Sequence, residues 1–550
     1  MLYKFSENNS SHFLMFIEQM FDNRLTKFSN CDNLQDKGEN MLAKVLSFGL
    51  TGITGYPVEI EIDINAGLPG YDVVGLADTA IKESKSRVKA AIKNSAYNYP
   101  IHTVIINLAP ADTKKEGSLY DLPIALGILA AQGVIPPKVL KEYVVLGELS
   151  LNGEIRKLNG LMPMLISAKQ LGFNKFIIPK ANAMEAAFID QIEVYPVETL
   201  KEVVEFFEGK RPLIQNNSKT FESALKEHDF KHDFMFVKGQ ASAKRAMEIA
   251  AAGGHNILLI GPPGAGKTML AKCFPSILPD LTFEESLEVT KIHSVAGVLD
   301  QQKGIVVERP FRSPHHTATL IALTGGGIKA KPGEISLAHN GVLFLDEMPE
   351  YARNTVETLR QPMEDGYITV SRNALTVQYP ANFILVASMN PCPCGYYGSS
   401  TNQCKCAPSA IHKYLSKMSG PLMDRIDLHI EVDAINYEEL TQHELEEPSK
   451  EIKKRVNAAR KIQLERFANS KVYSNAKMGE REFKEHCSLN KECTDLLEIA
   501  FKKLNLTARA YNRILKVART IADLEGSEKI EREHLLEAIQ YRSLDKKYTV

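Results

Sequence analysis

The chain contains no tryptophan, and no uninterrupted apolar run approaches the length of a bilayer span, which takes roughly 18–20 residues. No helical membrane span is therefore expected. The opening segment, MLYKFSENNSSHFLMFIEQMF, lacks both a basic stretch leading into a clean apolar run and a small-residue cleavage site. It reads poorly as a signal peptide. Net charge is only −1, so any nucleic-acid contact must come from a local patch rather than a basic bulk. Cysteine is sparse, with eight in 550 residues. Without export those thiols stay reduced, and metal ligation or plain thiols are expected before disulfides. Together these absences point to the cytoplasm. What remains is ordinary for a soluble globular chain, 44% hydrophobic and 24% charged, and the length suggests roughly three domains of ~150–200 residues.

The order of patterns predicts an α/β multidomain protein. Residues 1–40 are polar and Asn-rich and read as a poorly ordered extension, with Met41 as a second candidate start. Residues 41–208 mix strand-like runs (HTVIINLAP, KFIIP) with helical ones (DLPIALGILAAQG), which makes one α/β domain. Residues 209–231 carry no sustained period and read as a linker. A second α/β block spans 232–435, and 446–550 has the spacing of an all-α domain.

The most specific signal is Gly261-Pro262-Pro263-Gly264-Ala265-Gly266-Lys267-Thr268. It follows an apolar strand and opens a helix, the context a P-loop requires. Glycines let backbone N–H groups face phosphate oxygens at a helix N-terminus. Lys267 reaches the β- and γ-phosphates, and Thr268 ligates Mg²⁺. Downstream, GVLFLDEMPE ends an apolar run on Asp346 and Glu347, an acid for the Mg²⁺ shell and one to polarise water. A third run, NFILVASMN, ends on Asn390, placed to orient that water. ATP and Mg²⁺ are the expected cofactors.

These three strand ends resemble the AAA+ ATPases. The stretches VKGQASAKRAMEIAAAGGHN, RPFRSPHHTATLIALTGGG, SGPLMDRIDLHIEV and LTARAYNRILKVARTIADL together resemble the magnesium-chelatase-like ComM/YifB family. The resemblance covers nearly everything from Met41 to about Arg542, and implies a hexameric ring with active sites between subunits and a helicase driving branch migration on DNA. It further implies that Val237 and Gln240 border the adenine, that Arg425 in MDRID is an arginine finger for a neighbouring subunit, and that Arg509 is the sensor arginine closing the lid. Arg513, Lys516 and Arg519 follow Arg509 at helical spacing as one basic face, one member near nucleotide and the rest solvated.

Related AAA+ helicases project inserted loops into a central pore. Lys329 and Lys331 in GGGIKAKPGE and Arg372 at an expected hairpin tip would grip single-stranded or branched DNA there, or else be solvated loop tips. His315 and His316 are adjacent, so on a regular element they point apart and share no metal. Residues 41–208 resemble the Lon peptidase domain, through KKEGSLYDLPIALGILAA and LGELSLNGEIRKLNGLMPM. The position matching Lon's catalytic lysine is Met162, and Ser118 has no evident lysine partner, Lys114 and Lys115 being local loop charges. A protease fold without its dyad is expected.

Half of the cysteines fall in one stretch, MNPCPCGYYGSSTNQCKCAP: Cys392, Cys394, Cys404 and Cys406. Four thiolates can close a structural Zn²⁺ site with no open position; reduced, partly buried thiols are the other reading. Cys31, Cys273, Cys487 and Cys493 show no ligand spacing with it. The expected function is an AAA+ ATPase coupled to DNA translocation. The alternative is an ATP-driven protein remodeller, or a magnesium-chelatase-type motor acting on a protein partner.

Overall fold

A computed structural model describes residues 42–225, 232–327, 330–372, 375–398, 403–434, 445–470, 472–504 and 506–548. The N-terminal extension, Cys31 and Lys329 lie outside these residues. The first layer is a seven-stranded mixed sheet. Its long hairpin pairs Ala43–Thr51 with Thr54–Asn65. The two-residue turn between them puts Gly52 at φ +61, the left-handed conformation such turns demand at their first position. The helix Asp121–Ala131, DLPIALGILAA, is buried on every side. Its apolar circumference is what a helix needs when it is enclosed between a sheet and a second helix.

The second sheet has five strands, all parallel, in the order Phe311–Arg312, Val342–Leu345, Ile384–Met389, Ile257–Ile260, Leu428–Glu431. Ile257–Ile260 lies at its interior, and all four residues are buried. That is why the sequence there reads as a continuous apolar run rather than an alternation. The registers Ile260↔Met389 and Leu345↔Ala387 bring the three functional strand ends, before Gly261, Asp346 and Asn390, to the same carboxyl edge. Ligands gather at such an edge in open α/β sheets. The hairpin read around Arg372 is present, Tyr367–Arg372 against Leu375–Pro380. Between the P-loop strand and Val342–Leu345, the helix Phe283–Ala296 starts with a Thr282–Glu285 capping box and stops at Gly297, φ +80. Both signals are those expected of helix ends.

The C-terminal helices Ser449–Arg466, Ala508–Leu524 and Arg532–Gln540 share one apolar core with the P-loop strand and the helix Ala241–Gly253. A buried polar network sits beside it. Asp427 accepts from the Asn256 N–H at 2.9 Å and from Arg513, with His255 Nδ1 3.4 Å away. Burial pushes its carboxyl up, but Arg513 and His255 outweigh that and hold it well below the usual range. The expectation of a solvated basic face on Ala508–Leu524 is corrected here. Arg519 is buried, donating to Asp523 and to the carbonyls of Ser527 and Glu528. Lys516 donates to the carbonyls of Ala476 and Met478. Unmet carbonyls at loop and helix ends have absorbed the cations.

The two α/β layers touch. Gly52 abuts Val377 of the second hairpin, and the Gly160 N–H donates to Ser294 O at 3.0 Å. Buried Glu185 accepts from the Met162 N–H at 2.9 Å, from Asn182 Nδ2 at 2.9 Å, and from Ser294. The stretch read as a linker contains a helical turn, Phe221–Ala224, whose Phe221 ring packs 5.6 Å from Phe283.

Candidate nucleotide site

At the carboxyl edge the P-loop wraps a concavity of about 270 Å³ lined by Gly264 to Met269. Gly264 and Gly266 have φ of +79 and +89 with open space where a side chain would be. Only glycine adopts that backbone freely, and it leaves the loop amides accessible. Lys267 is 8% exposed. Its ammonium donates to Gly261 O at 2.6 Å, Pro262 O at 2.8 Å and Asn390 Oδ1 at 3.1 Å. Burial lowers it to about 8, against the opposing pull of Asp346 and Glu347.

Thr268 Oγ1 donates to Asp346 Oδ2 at 2.8 Å, so a hydroxyl and a carboxylate oxygen face one small space. That pairing of hard oxygen donors fits Mg²⁺. The other carboxylate oxygen accepts from Ser388 and from the Glu347 N–H. The same N–H also reaches Ser388 Oγ at 3.0 Å. Glu347 itself sits at φ +50 with its side chain exposed. Ser388 was not singled out in the sequence, although it lies on the strand Ile384–Met389 two residues before Asn390, the spacing that brings side chains to one face.

Val237 is buried. Gln240, at φ +58, uses its amide on Asp433 O at 2.7 Å and more weakly on Ala265 O at 3.4 Å. It therefore braces the P-loop rather than standing free.

The two arginines lie elsewhere. Arg425 precedes Leu428–Glu431 at the amino edge of the sheet, a strand length, roughly 10–13 Å, from the P-loop. It is 3% exposed, donating to Pro421 O at 2.5 Å and to Glu364. Arg509 is exposed. The hydrogen bond from Arg425 lowers Glu364 against its burial, and Arg509 and Arg513 add to that. Arg509, read from the resemblance as the sensor arginine closing the lid, stands near Glu364 together with Arg425. Lys331 is exposed on a short strand, Lys331–Pro332, and Arg372 ends the hairpin strand Tyr367–Arg372. His315 and His316 do not point apart: their rings lie together, tilted by 34° with centroids 4.1 Å apart, because residues 313–318 form neither helix nor strand.

The four clustered cysteine sulfurs converge within 4.8 Å of one another. Cys392 stands 3.3 Å from Cys394 and 3.7 Å from Cys404, and Cys394 stands 3.6 Å from Cys404. Backbone N–H groups of Tyr396 and Lys405 hold the Cys394 thiol down at about 6. In the first layer, Met162 is fully buried and Ser118 donates to Glu148.

The family described as magnesium chelatase, subunit ChlI, matches residues 233–440; its C-terminal counterpart matches 446–542, and a further ChlI family matches 60–182. Competence protein ComM of Haemophilus influenzae is 43% identical over 506 residues, covering 92% of this chain and 98% of the relative. The chain belongs to the ComM/YifB family of magnesium-chelatase-like AAA+ ATPases. YifB of Salmonella typhimurium is 44% identical over 510 residues, 92% of this chain and 98% of the relative. An archaeal Lon protease of Thermococcus kodakarensis is 30% identical over 141 residues, 24% of this chain and 21% of the relative. Among the described residues no helix is long and apolar enough to cross a membrane.

Proposed function

We propose that this family member is a ring-forming motor that couples ATP hydrolysis to movement along DNA, as a branch-migration helicase. The observation that carries the DNA reading is near-full-length similarity to a competence protein, joined to a complete P-loop, acid and asparagine set on one sheet edge. Bound Mg²⁺ would be held through Thr268 and Asp346 and would neutralise phosphate charge. Lys267 exchanges its carbonyl partners for β- and γ-phosphate oxygens. Glu347 polarises the attacking water and Asn390 orients it. Arg425 and Arg509, at the far edge, serve the next subunit's nucleotide, so each site is complete only in the ring. Glu364 holds Arg425 until that phosphate arrives.

Lys331, Lys329 and Arg372 grip the DNA backbone. The Lon-like layer is not a protease, a reading supported by buried Met162 at the lysine position and by Ser118 engaged on Glu148. The four cysteines hold a structural zinc ion. The test is displacement of a labelled strand from a branched duplex. ATP-dependent displacement supports the motor. A protein that hydrolyses ATP yet displaces nothing and binds no DNA at low salt is a remodeller of protein partners instead.

A further inference from the structure

The loop after Asn390 makes two connections to the nucleotide site. Gly395, at φ +85, lies against Pro263 of the P-loop so closely that a side chain there would overlap the proline ring. Its N–H donates to Cys392 O at 2.9 Å. Cys392 is fully buried and stands two residues from Asn390, whose carboxamide accepts from Lys267. Whatever fixes Cys392 and Cys394 therefore fixes Asn390 on one side and Gly395 on the other.

A Zn–S bond of about 2.3 Å places tetrahedral sulfurs about 3.8 Å apart. The distances of 3.3, 3.7 and 3.6 Å among Cys392, Cys394 and Cys404 sit near that edge length and far from a disulfide's ~2.05 Å. Cys394, Cys404 and Cys406 are each partly exposed, so burial alone does little to order this loop. Thiol contacts are weak, whereas zinc–thiolate ligation is strong enough to fold small modules outright.

We propose that zinc bound by Cys392, Cys394, Cys404 and Cys406 is a positioning element of the nucleotide site, setting Pro263 through Gly395 and Asn390 through Cys392. It takes no part in the chemistry, because four thiolates leave no open coordination position. This rests on the ATPase reading above. Loss of the metal loosens the P-loop and weakens ATP binding.

The experiment uses the full chain, with zinc content measured by atomic emission and ATP affinity by a fluorescent analogue. Stripping zinc with a chelator weakens ATP affinity about tenfold, and adding zinc back restores it. Because cysteine variants can misfold, Gly395→Ala is the second arm. It keeps its zinc, and after cobalt exchange the absorption of a tetrathiolate site, yet raises KM for ATP about tenfold. Gly398→Ala is the control, since Gly398 has a similar φ of +77 but a side chain there would meet only the end of the Lys547 side chain, at 3.2 Å. It leaves zinc and KM unchanged. A raised KM with metal intact is a signal that a merely structural clip would not give. ATP affinity indifferent to zinc and to Gly395→Ala overturns the proposal alone, as does a chain that carries no zinc. Absent nucleotide binding in the zinc-loaded protein overturns the ATPase reading and this proposal with it.

Discussion

Asn390 Oδ1 accepts a hydrogen bond from Lys267 Nζ at 3.1 Å, joining the start of the P-loop helix to a strand end 123 residues further on. The pair puts the cation proposed to bind phosphate and the amide proposed to orient water on one point of the sheet edge. Lys267→Ala is expected to abolish ATP hydrolysis. Asn390→Ala is expected to lower kcat by about 10²–10³-fold with a smaller change in KM, the pattern of a group that acts in the transition state. Steady-state kinetics at saturating ATP separates the two.

Nucleotide affinity should depend on pH through Lys267. Burial lowers its ammonium to about 8, and bound phosphate favours the charged form. Below pH 8 the lysine is already charged and affinity is flat. Above it, binding must take up a proton, so affinity falls as pH rises through 8. Titration calorimetry at pH 8.5 in buffers of different ionisation enthalpy would register that uptake. Equal heats in all buffers would contradict it.

If Arg425 serves the neighbouring subunit, an Arg425→Ala chain and a Lys267→Ala chain are inactive alone but complement each other when mixed. Random pairing makes roughly a quarter of the interfaces competent. Recovered ATPase on mixing is the expected result. No recovery at any ratio would contradict a role for Arg425 at the neighbouring subunit's site.

Asp427 ties the lid to the core through Asn256, His255 and Arg513. Asp427→Asn removes a buried charge from that network and should cost about 3–5 kcal/mol, read as a lowered first thermal transition. The folded carboxyl lies well below its unfolded value. Its contribution is thus fully present above the unfolded pKa and is lost only as pH falls toward the folded one. A wild-type-minus-variant difference should accordingly stay constant from neutral pH to about 5 and shrink in stronger acid.

The P-loop, Asp346 and Asn390 were legible in the sequence because each is a local event, an apolar strand that ends on a polar group. The sulfur cluster was legible as chemistry from Cys-x-Cys spacing, but not its seat on Pro263, which depends on how the loop folds back. The basic face was misread for a related reason. Helical spacing gave the positions of Lys516 and Arg519, whereas the carbonyls of Ala476, Met478, Ser527 and Glu528 that accept from them come from later turns and neighbouring loops. Arg509 was read by resemblance as the sensor arginine closing the lid; its place near Glu364, which also holds Arg425, is a tertiary relation that no local pattern encodes. His315 and His316 show the limit of periodic reasoning in a stretch that has no period.

Steady-state ATPase activity of the purified chain with no DNA, and with single-stranded, duplex and branched DNA, alongside Lys267→Ala, decides whether this ATPase is driven by DNA. A DNA motor shows strong stimulation by branched or single-stranded DNA, steeply reduced by salt and absent in the variant. Hydrolysis that is abolished by Lys267→Ala but indifferent to every DNA at low salt would leave the ATPase standing and contradict the DNA motor.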